Sequence, residues 1–261
     1  MNDELVAAYD AAGDAWERGP ARVYDRLADV LVARCPSMRS GATVLDLGAG
    51  TGAVTRAVSR RGARAIALDA AHGVLATAVA AGAAGCQGDV LALPFADHAF
   101  DAVVAAFSVN HVGDPSAALR EAARVLRAGG ALAVSAYGAD DDHPVKRATE
   151  QAARSRGWVP EPWYMALRRD TMPMLATRSR ARRVAAAAGI VGAHVESVRV
   201  AFPELNAADL VDWRLGMAHL APFVAGLDGP ARHELVSDAQ ARLGDAPVLV
   251  RSMIVLTAVI G

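Results

Sequence analysis

Cysteine is scarce in this sequence, which limits both its cross-linking and its metal chemistry. Only Cys35 and Cys86 occur among 261 residues, and they do not share a spacing that pairs metal ligands. A disulfide framework is therefore excluded, and we expect two buried or half-buried thiols in a reducing compartment. We predict no metal site for the chain.

Long apolar runs, a leader peptide and an excess of one charge are also missing. No apolar stretch reaches the roughly 20 residues that cross a bilayer. The acidic start "MNDELVAAYD" is unlike a secretory signal. The 27 basic and 28 acidic residues give a net charge of −1. We therefore expect a cytoplasmic protein without a membrane or nucleic-acid partner.

Apolar residues are abundant, and their pattern predicts an α/β core. Hydrophobic residues make up 53% of the chain, which is enough for a large buried core. From residue 42 onward, short apolar strands alternate with helical segments, so we expect a parallel sheet with helices on both faces. The predicted strands are 44–47, "ARAIALDA", "AGCQGDV", "FDAVVAAFSV" and "ALAVSAYG"; the predicted helices are 52–61, 71–81 and 115–127, the last closed by Gly129 and Gly130.

The segments on either side of this core are mainly helical. The stretch after Gly138 holds a helix and a proline-interrupted aromatic segment, followed by the alternating edge strand "AHVESVRVAF", two or three helices, and the apolar final strand "PVLVRSMIVLTAVI". We predict one domain over 1–261. Its parts are a helical lid at 1–40, a cofactor-binding core at 41–137, substrate-facing helical elaborations at 138–190 and 203–245, and a terminal strand at 247–260.

The stretch "VLDLGAGTGAVT" at 44–55 has the form of a nucleotide-binding turn. An apolar strand ends in an aspartate, and a glycine-rich turn then leads into a helix. The turn also fits the dinucleotide fingerprint with alanine in the last place, and Asp69 lies about twenty residues further on, where a ribose-binding carboxylate belongs. The turn alone therefore does not distinguish a dinucleotide from another nucleotide.

Two further acids favour a cationic ligand. Asp46 precedes Gly48 by two residues, so its carboxylate would face any pyrophosphate bound over the helix, which costs electrostatic energy. S-adenosylmethionine carries an ammonium, a sulfonium and no phosphate. Asp89 follows the third strand, where it can accept a hydrogen bond from an adenine amine while Val90 covers the ring. Asp69 lies at the end of the second strand. Each of the three successive strands thus presents an acid at the ligand-binding edge of the sheet.

The sequence resembles the class I S-adenosylmethionine-dependent methyltransferases, most of all the small-molecule group that includes ubiquinone and menaquinone C-methyltransferases. The resemblance implies a Rossmann-like seven-stranded, mostly parallel sheet with an antiparallel last strand. The proline of the family's "VLRPGG" turn is Ala128 here. The stretches that carry the resemblance to this family are "VLDLGAGTG" at 44–52, "ALDA" at 67–70, "GDVLALPFADHAFDAV" at 88–104 and "REAARVLRAGGALAVS" at 120–135.

The resemblance also implies roles for single residues. The glycine turn would pack under the methionine part of the cofactor, and the second strand's acid would bind both ribose hydroxyls. Phe107 would lie near the reactive methyl group, and Tyr9 would close over the cofactor. The full set of predicted cofactor contacts is Asp46, Gly48, Ala49, Gly50, Asp69, Ala70, Asp89, Val90, Phe107 and Tyr9.

His111 is the candidate general base, because "FSVNHVGDP" places it just after the fourth strand, where an acceptor should arrive. The alternative is that it only caps a helix or lines the pocket. Trp158, Trp163 and Tyr164 would wall a flat acceptor, or else plug the insertion or form a dimer contact. The run Asp140–Asp142 with His143 could bind a cationic amine or a metal, or be a solvated loop.

These features predict transfer of a methyl group from S-adenosylmethionine to a small organic acceptor, leaving S-adenosylhomocysteine. The transfer would be an O- or C-methylation of a secondary metabolite or quinone-like compound. The alternative is a non-methylating reaction on the same fold, such as cyclisation or decarboxylation. An NAD(P) oxidoreductase is disfavoured by Asp46 and Asp89, and a nucleic-acid methyltransferase by the neutral charge. The sequence leaves open whether the protein forms a homodimer.

Overall fold

The computed structural model describes residues 3–36 and 38–261 and centres on one seven-stranded sheet. Its strands lie in the order β3-β2-β1-β4-β5-β7-β6, where the numbers follow the chain. The strands are β1 (Thr43–Leu47), β2 (Arg64–Asp69), β3 (Ala84–Gln87), β4 (Phe100–Ala106), β5 (Leu126–Tyr137), β6 (His194–Phe202) and β7 (Leu249–Val259).

Strand direction confirms the predicted fold class. β7 runs antiparallel to both of its neighbours, β5 and β6, whereas all other neighbouring pairs are parallel. β6 forms the edge of the sheet, as its alternating sequence predicts. The chain order reverses between β1 and β4, because β2 and β3 are added on one side and β5 on the other. In open α/β sheets this reversal creates a crevice at the carboxyl ends of the strands.

Helices cover both faces of the sheet. The helices are α1 (Asp3–Asp10), α2 (Gly13–Arg18), α3 (Pro20–Val32), α4 (Ala53–Ser59), α5 (His72–Ala80), α6 (Pro115–Val125), α7 (Pro144–Arg154), α8 (Pro162–Ala166), α9 (Arg178–Ala187), α10 (Ala207–Leu215), α11 (Ala221–Ala225) and α12 (Gly229–Leu243). The three helices α1 to α3 supply the N-terminal elements that the sequence predicts, and α10 to α12 supply those before the last strand.

Alternating side chains of the strands divide the core into two parts. In β1, Val44 points to one face and Leu45 and Leu47 point to the other, and all three are fully buried. The first face packs against α3, α4, α7, α10 and α12, and the second against α6 and α9. Because both faces are covered, the strands read as nearly continuous apolar runs.

Several helices begin at capping side chains. Asp114 accepts a hydrogen bond from the Ala117 amide at 3.0 Å, with Pro115 at the first helical position of α6. His143, one of the residues considered for a metal, caps α7 instead: its Nδ1 accepts from the Val145 amide at 3.3 Å. These caps fix where the chain leaves the carboxyl edge of the sheet.

The glycine pair after α6 has a different role from the predicted one. The helix ends at Val125 and β5 begins at once at Leu126, so Gly129 and Gly130 do not close the helix. Gly129 donates to the Ile260 carbonyl at 2.7 Å and Ile260 donates back to Gly130 at 2.9 Å. The glycines therefore extend the pairing of β5 with the end of β7, and they lie where the pairing of β5 with β4 shifts register.

The described part of the chain contains no helix that is long and apolar enough to cross a membrane. Cys35 is a buried thiol and Cys86 is a half-buried one. Within 3–36 and 38–261, no cluster of three or more His, Cys, Asp or Glu side chains is arranged to hold a metal ion.

Candidate active site

The glycine turn between β1 and α4 is held by the end of β2. The amides of Gly48 and Ala49 both donate to the Leu68 carbonyl, at 2.8 and 2.9 Å. The Asp69 carboxylate accepts from the Gly50 amide at 2.8 Å and from the Ala71 amide at 2.9 Å. One carboxylate thus fixes both the glycine turn and the start of α5, and it retains lone pairs for a ligand.

Glycine is required in this turn for two reasons. Gly48 has a φ angle of +73° and Gly50 one of +54°, in the left-handed region that favours glycine. A Cβ atom on Gly48 would lie 2.3 Å from the Cβ of Ser108, which follows β4. A side chain at this position would therefore push the turn away from β4 and distort the floor of the crevice.

Asp46 is an almost fully buried carboxylate with one unsatisfied oxygen. Its side chain accepts from the Thr55 amide and hydroxyl, both at 2.8 Å through Oδ2, while Oδ1 has no hydrogen-bond partner among residues 3–36 and 38–261. Burial raises the pKa of Asp46 to about 7, against the lowering effect of the Thr55 hydrogen bonds. The carboxyl is therefore only partly ionised at neutral pH, unlike the fully charged group that the sequence suggests.

A cavity of about 110 Å³ lies above the turn. We call it the nucleotide cavity. Nine of the ten predicted cofactor contacts line it, and so does His111. The tenth, Asp89, is not among the lining residues; its Oδ1 accepts from the Leu91 amide at 2.9 Å. The lining residues are Leu5, Val6, Tyr9, Trp16, Tyr24, Asp46, Gly48, Ala49, Gly50, Thr51, Ala53, Val54, Asp69, Ala70, Ala71, Val90, Ala106, Phe107, Ser108 and His111.

Aromatic side chains of the N-terminal helices form the roof of this cavity. Tyr9 lies 5.7 Å from Trp16, ring centroid to ring centroid, and Trp16 lies 4.8 Å from Tyr24. The carboxylate of Asp10 accepts a hydrogen bond from the amide of Gly73 and so ties the end of α1 to α5. The sequence predicts that Tyr9 closes over the cofactor. It assigns no role at the site to Leu5, Val6 and Tyr24, because apolar residues at helical spacing also form ordinary helix cores.

His111 ends a short 3₁₀ turn, Val109–His111, after β4. Its ring lies 5.8 Å from that of Tyr9. Partial burial of the ring lowers the pKa of His111 to about 4. The imidazole is therefore neutral at physiological pH and has a nitrogen that can accept a proton.

A second, wider cavity of about 490 Å³ adjoins the first. We call it the acceptor cavity. Tyr9, Tyr24 and His111 line both cavities. The other residues that line it are Tyr137, Gly138, Ala139, Asp141, Asp142, Lys146, Arg147, Glu150, Trp163, Tyr164, Leu167, Arg168, Met172, Pro173, Ala176, Arg180, Trp213, Arg214, Met217, Ala218, His219 and Arg251.

Two of the three residues predicted to form an aromatic wall line the acceptor cavity, and the third does not. Trp163 and Tyr164 line it, but Trp158 does not: it is buried, and its indole N–H donates to the His219 carbonyl at 3.2 Å. The acidic run after β5 is not wholly a solvated loop. The Asp141 side chain is only 3% exposed and pairs with Arg251 at 2.9 Å.

Comparison with known proteins agrees with this geometry. Residues 45–134 match a family model described as a methyltransferase domain. The demethylmenaquinone methyltransferase of Mycolicibacterium vanbaalenii is 38% identical over 137 residues. That match takes in 52% of this chain and 58% of the relative, so the chain spans well under two thirds of the length of the relative.

Two solved structures share the fold over most of the chain. A methyltransferase from Thermotoga maritima aligns with 98% of this chain and all of its own, with a TM-score of 0.57 and 15% identity. Phosphoethanolamine N-methyltransferase 2 of Haemonchus contortus, in complex with S-adenosyl-L-methionine, aligns with 90% of this chain and 52% of its own, with a TM-score of 0.57 and 20% identity. At these identities the likeness is one of fold alone.

Proposed function

We propose, from the match of residues 45–134 to a methyltransferase domain and from the seven-stranded fold, that this chain transfers a methyl group from S-adenosylmethionine to a small organic acceptor. One observation supports this above all others. A cavity with a glycine turn and two carboxylates opens onto a second, aromatic cavity, and His111 lines both. Such an arrangement suits a donor and an acceptor that meet at one point.

The nucleotide cavity has groups that suit S-adenosylmethionine. The unpartnered Oδ1 of buried Asp46 is an acceptor that the ammonium of the methionine part would satisfy. The remaining lone pairs of Asp69 would accept from the two ribose hydroxyls. Ala70 and Val90 would lie against the adenine. The Asp89 carboxylate, which accepts from the Leu91 amide through Oδ1, has further lone pairs with which to accept from the adenine amine. Gly48, Ala49 and Gly50 would allow the backbone to approach closely.

When bound, S-adenosylmethionine supplies a methyl carbon that is already activated by a sulfonium. The protein then has to align the acceptor atom with that carbon and exclude water. The acceptor atom forms the new bond to the methyl carbon as the carbon–sulfur bond breaks, with its electron pair going to sulfur. The neutral imidazole of His111 would take the proton that a hydroxyl or an acidic carbon gives up.

The N-terminal helices would act as a lid. The nucleotide cavity, at about 110 Å³, is smaller than the roughly 300–1,000 Å³ of ordinary ligand pockets. A nucleotide would therefore enter only if α1 moved outward. Tyr9 and Trp16 would then close over it, which supports the predicted lid at 1–40.

A quinone-like acceptor, methylated on oxygen or carbon, is the class that the relatives support. The name of the Mycolicibacterium relative refers to a menaquinone precursor. The matched family segment ends at residue 134, however, and most residues of the acceptor cavity lie beyond it. The acceptor therefore has to be identified on this protein itself.

Two measurements test the proposal. Calorimetry with S-adenosylmethionine, S-adenosylhomocysteine and NADH should give binding of the first two and none of the third. Mass spectrometry of reactions that contain methyl-labelled cofactor and a panel of phenols and quinols should then find a product heavier by one methyl unit. Binding of NADH alone, or consumption of an acceptor without any gain in mass, would contradict methyl transfer.

A further inference from the structure

The acceptor cavity concentrates buried hydrogen-bond donors that have no partner. Arg214 and Arg251 are 5% and 3% exposed, and Trp213 is 1% exposed. Three donor atoms have no hydrogen-bond partner in the described part of the chain, namely the Nε of Arg214, the Nε of Arg251 and the Nε1 of Trp213, and all three residues line the cavity. Buried donors without acceptors are costly, so their grouping around one cavity indicates a ligand rich in acceptor oxygens.

The same cavity has an excess of buried positive charge. The carboxylate of Asp141 forms ion pairs with both Arg251 and Lys146, each at 2.9 Å. Arg214 contacts Glu150 at 3.6 Å and donates to the Nε2 of His219 at 3.2 Å. Burial and the nearby Arg214 keep the pKa of His219 well below its usual value, so this ring adds no charge. Lys146, Arg214 and Arg251 therefore outnumber their two carboxylate partners. The rest of the lining adds three cations, Arg147, Arg168 and Arg180, and one carboxylate, Asp142.

The two arginines lie on one aromatic ring. The guanidinium carbons of Arg251 and Arg214 lie 4.7 and 5.6 Å from the ring centroid of Trp213, and that of Arg251 also lies 4.1 Å from the ring of Tyr137. Their forks are thus held by stacking, with their Nε atoms unpaired. A carboxylate bound beside them would offset part of the excess positive charge and accept hydrogen bonds from these N–H groups.

We propose that the acceptor is a planar aromatic molecule that carries a carboxylate, bound by Arg214 and Arg251, with its methyl-accepting atom turned toward His111. The proposal rests on the proposed function and specifies its acceptor. The walls suit a flat ring: Tyr164 stacks on His219 with centroids 4.0 Å apart and 7° between the planes.

The first test needs no variant. The protein is loaded with S-adenosylhomocysteine, and 3-hydroxy-2-naphthoate is titrated against its neutral analogue, 3-hydroxy-2-naphthamide, by calorimetry. One-ring and three-ring hydroxycarboxylates with their amides complete the panel. We expect at least one carboxylate to bind about tenfold or more tightly than its amide, since charge-assisted hydrogen bonds are the stronger ones. Equal affinities throughout the panel, or binding of no carboxylate, would overturn the proposal.

Variants then test the two arginines. Arg214→Met and Arg251→Met should each weaken binding of the selected carboxylate about tenfold or more and leave its amide unaffected. Arg169→Met is the matched control, because Arg169 is exposed, pairs with its neighbour Asp170 and does not line the cavity. If a Met variant is unfolded, Arg214→Lys or Arg251→Lys keeps the charge but not the fork, and it should show an intermediate loss.

The outcomes separate this proposal from the proposed function. S-adenosylhomocysteine binding serves as the readout of the nucleotide cavity in every variant. If the cofactor product binds and the carboxylate preference is absent, the acceptor class is wrong and the methyltransferase assignment stands. If neither S-adenosylmethionine nor its product binds the wild-type protein, the proposed function itself fails.

Discussion

The ring of Phe107 stacks on the ring of Tyr137, with centroids 4.3 Å apart and 27° between the planes. Phe107 lines the nucleotide cavity and Tyr137 lines the acceptor cavity, so this pair joins the two walls. Phe107 also has a φ angle of +56°, which is rare for a residue with a side chain. The backbone strain at the end of β4 therefore coincides with the contact that connects donor and acceptor.

Replacement of Phe107 should reveal this strain. We expect Phe107→Gly to be more stable than Phe107→Ala by about 1 kcal/mol, because glycine adopts a positive φ without the Cβ penalty. Both variants lose the same ring contact with Tyr137. Chemical denaturation measures the difference, and the usual order, with alanine the more stable, would show that the backbone at this residue relaxes.

Asp46 should make cofactor affinity depend on pH. Its pKa is raised to about 7, mainly by burial and further by the nearby Asp69 carboxylate. A bound ammonium favours the ionised carboxyl, so the Kd of S-adenosylhomocysteine should fall as the pH rises from about 6 to about 8. Calorimetry across this range measures the slope. Asp46→Asn cannot ionise and should flatten the profile; a wild-type profile that is already flat would rule Asp46 out as the ammonium's partner.

Asp69 should contribute most to binding of the ribose. Asp69→Ala is expected to raise the Kd of S-adenosylhomocysteine about a hundredfold or more, since two charge-assisted hydrogen bonds of roughly 1.5–3 kcal/mol each would be lost. Asp97→Ala is the control, because Asp97 is an exposed partner of Arg124 and does not line the cavity. An unchanged Kd in a folded Asp69→Ala protein would remove this residue from the ribose site.

His111 should affect turnover and not cofactor binding. His111→Ala is expected to lower kcat by about 10²- to 10⁴-fold, the range for loss of a general base, with the Kd of S-adenosylhomocysteine nearly unchanged. Because its pKa is about 4, the wild-type kcat should decline only near that pH and show no step near 6.5. If kcat is unaltered in the variant, His111 only lines the cavity.

Gly48 should be sensitive to a single methyl group. Gly48→Ala combines a positive φ with a Cβ placed 2.3 Å from that of Ser108, whereas Gly41→Ala has a similar φ, +78°, and nothing within 4 Å. We expect Gly41→Ala to cost about 1–2 kcal/mol from backbone strain alone, and Gly48→Ala to cost more and to weaken cofactor binding. Ser108→Gly added to Gly48→Ala should recover part of the loss, and equal costs at the two glycines would contradict the close approach.

Much of the nucleotide cavity could be predicted because its residues lie at strand ends in a short stretch of chain. The turn after β1, Asp69 at the end of β2 and Phe107 after β4 reach the same edge of the sheet in any parallel arrangement of these strands. The local sequence predicted the structure less well where a glycine pair could either end a helix or lie within a strand. The glycine pair 129–130 looked like a helix stop, but it pairs with Ile260, more than 100 residues away.

The charge state of the site could not be read from residue types. Asp46 and His111 would both be assigned ordinary pKa values in a chain exposed to water. Burial raises the pKa of Asp46 to about 7 and lowers that of His111 to about 4. Desolvation depends on how the surrounding elements pack, and α1 to α3, which lie early in the chain, supply part of that cover.

The sequence alone determined the alternation of strands and helices and the glycine turn, because both follow from short-range periodicity and spacing, and its motifs indicated S-adenosylmethionine as the cofactor. Only the tertiary structure decided how the acceptor is enclosed. Tyr137, Lys146, Arg214 and Arg251 come from β5, α7, α10 and β7, and no local pattern links them. Their donors converge because β7 returns antiparallel beside β5 while α7 and α10 pack on the same face of the sheet.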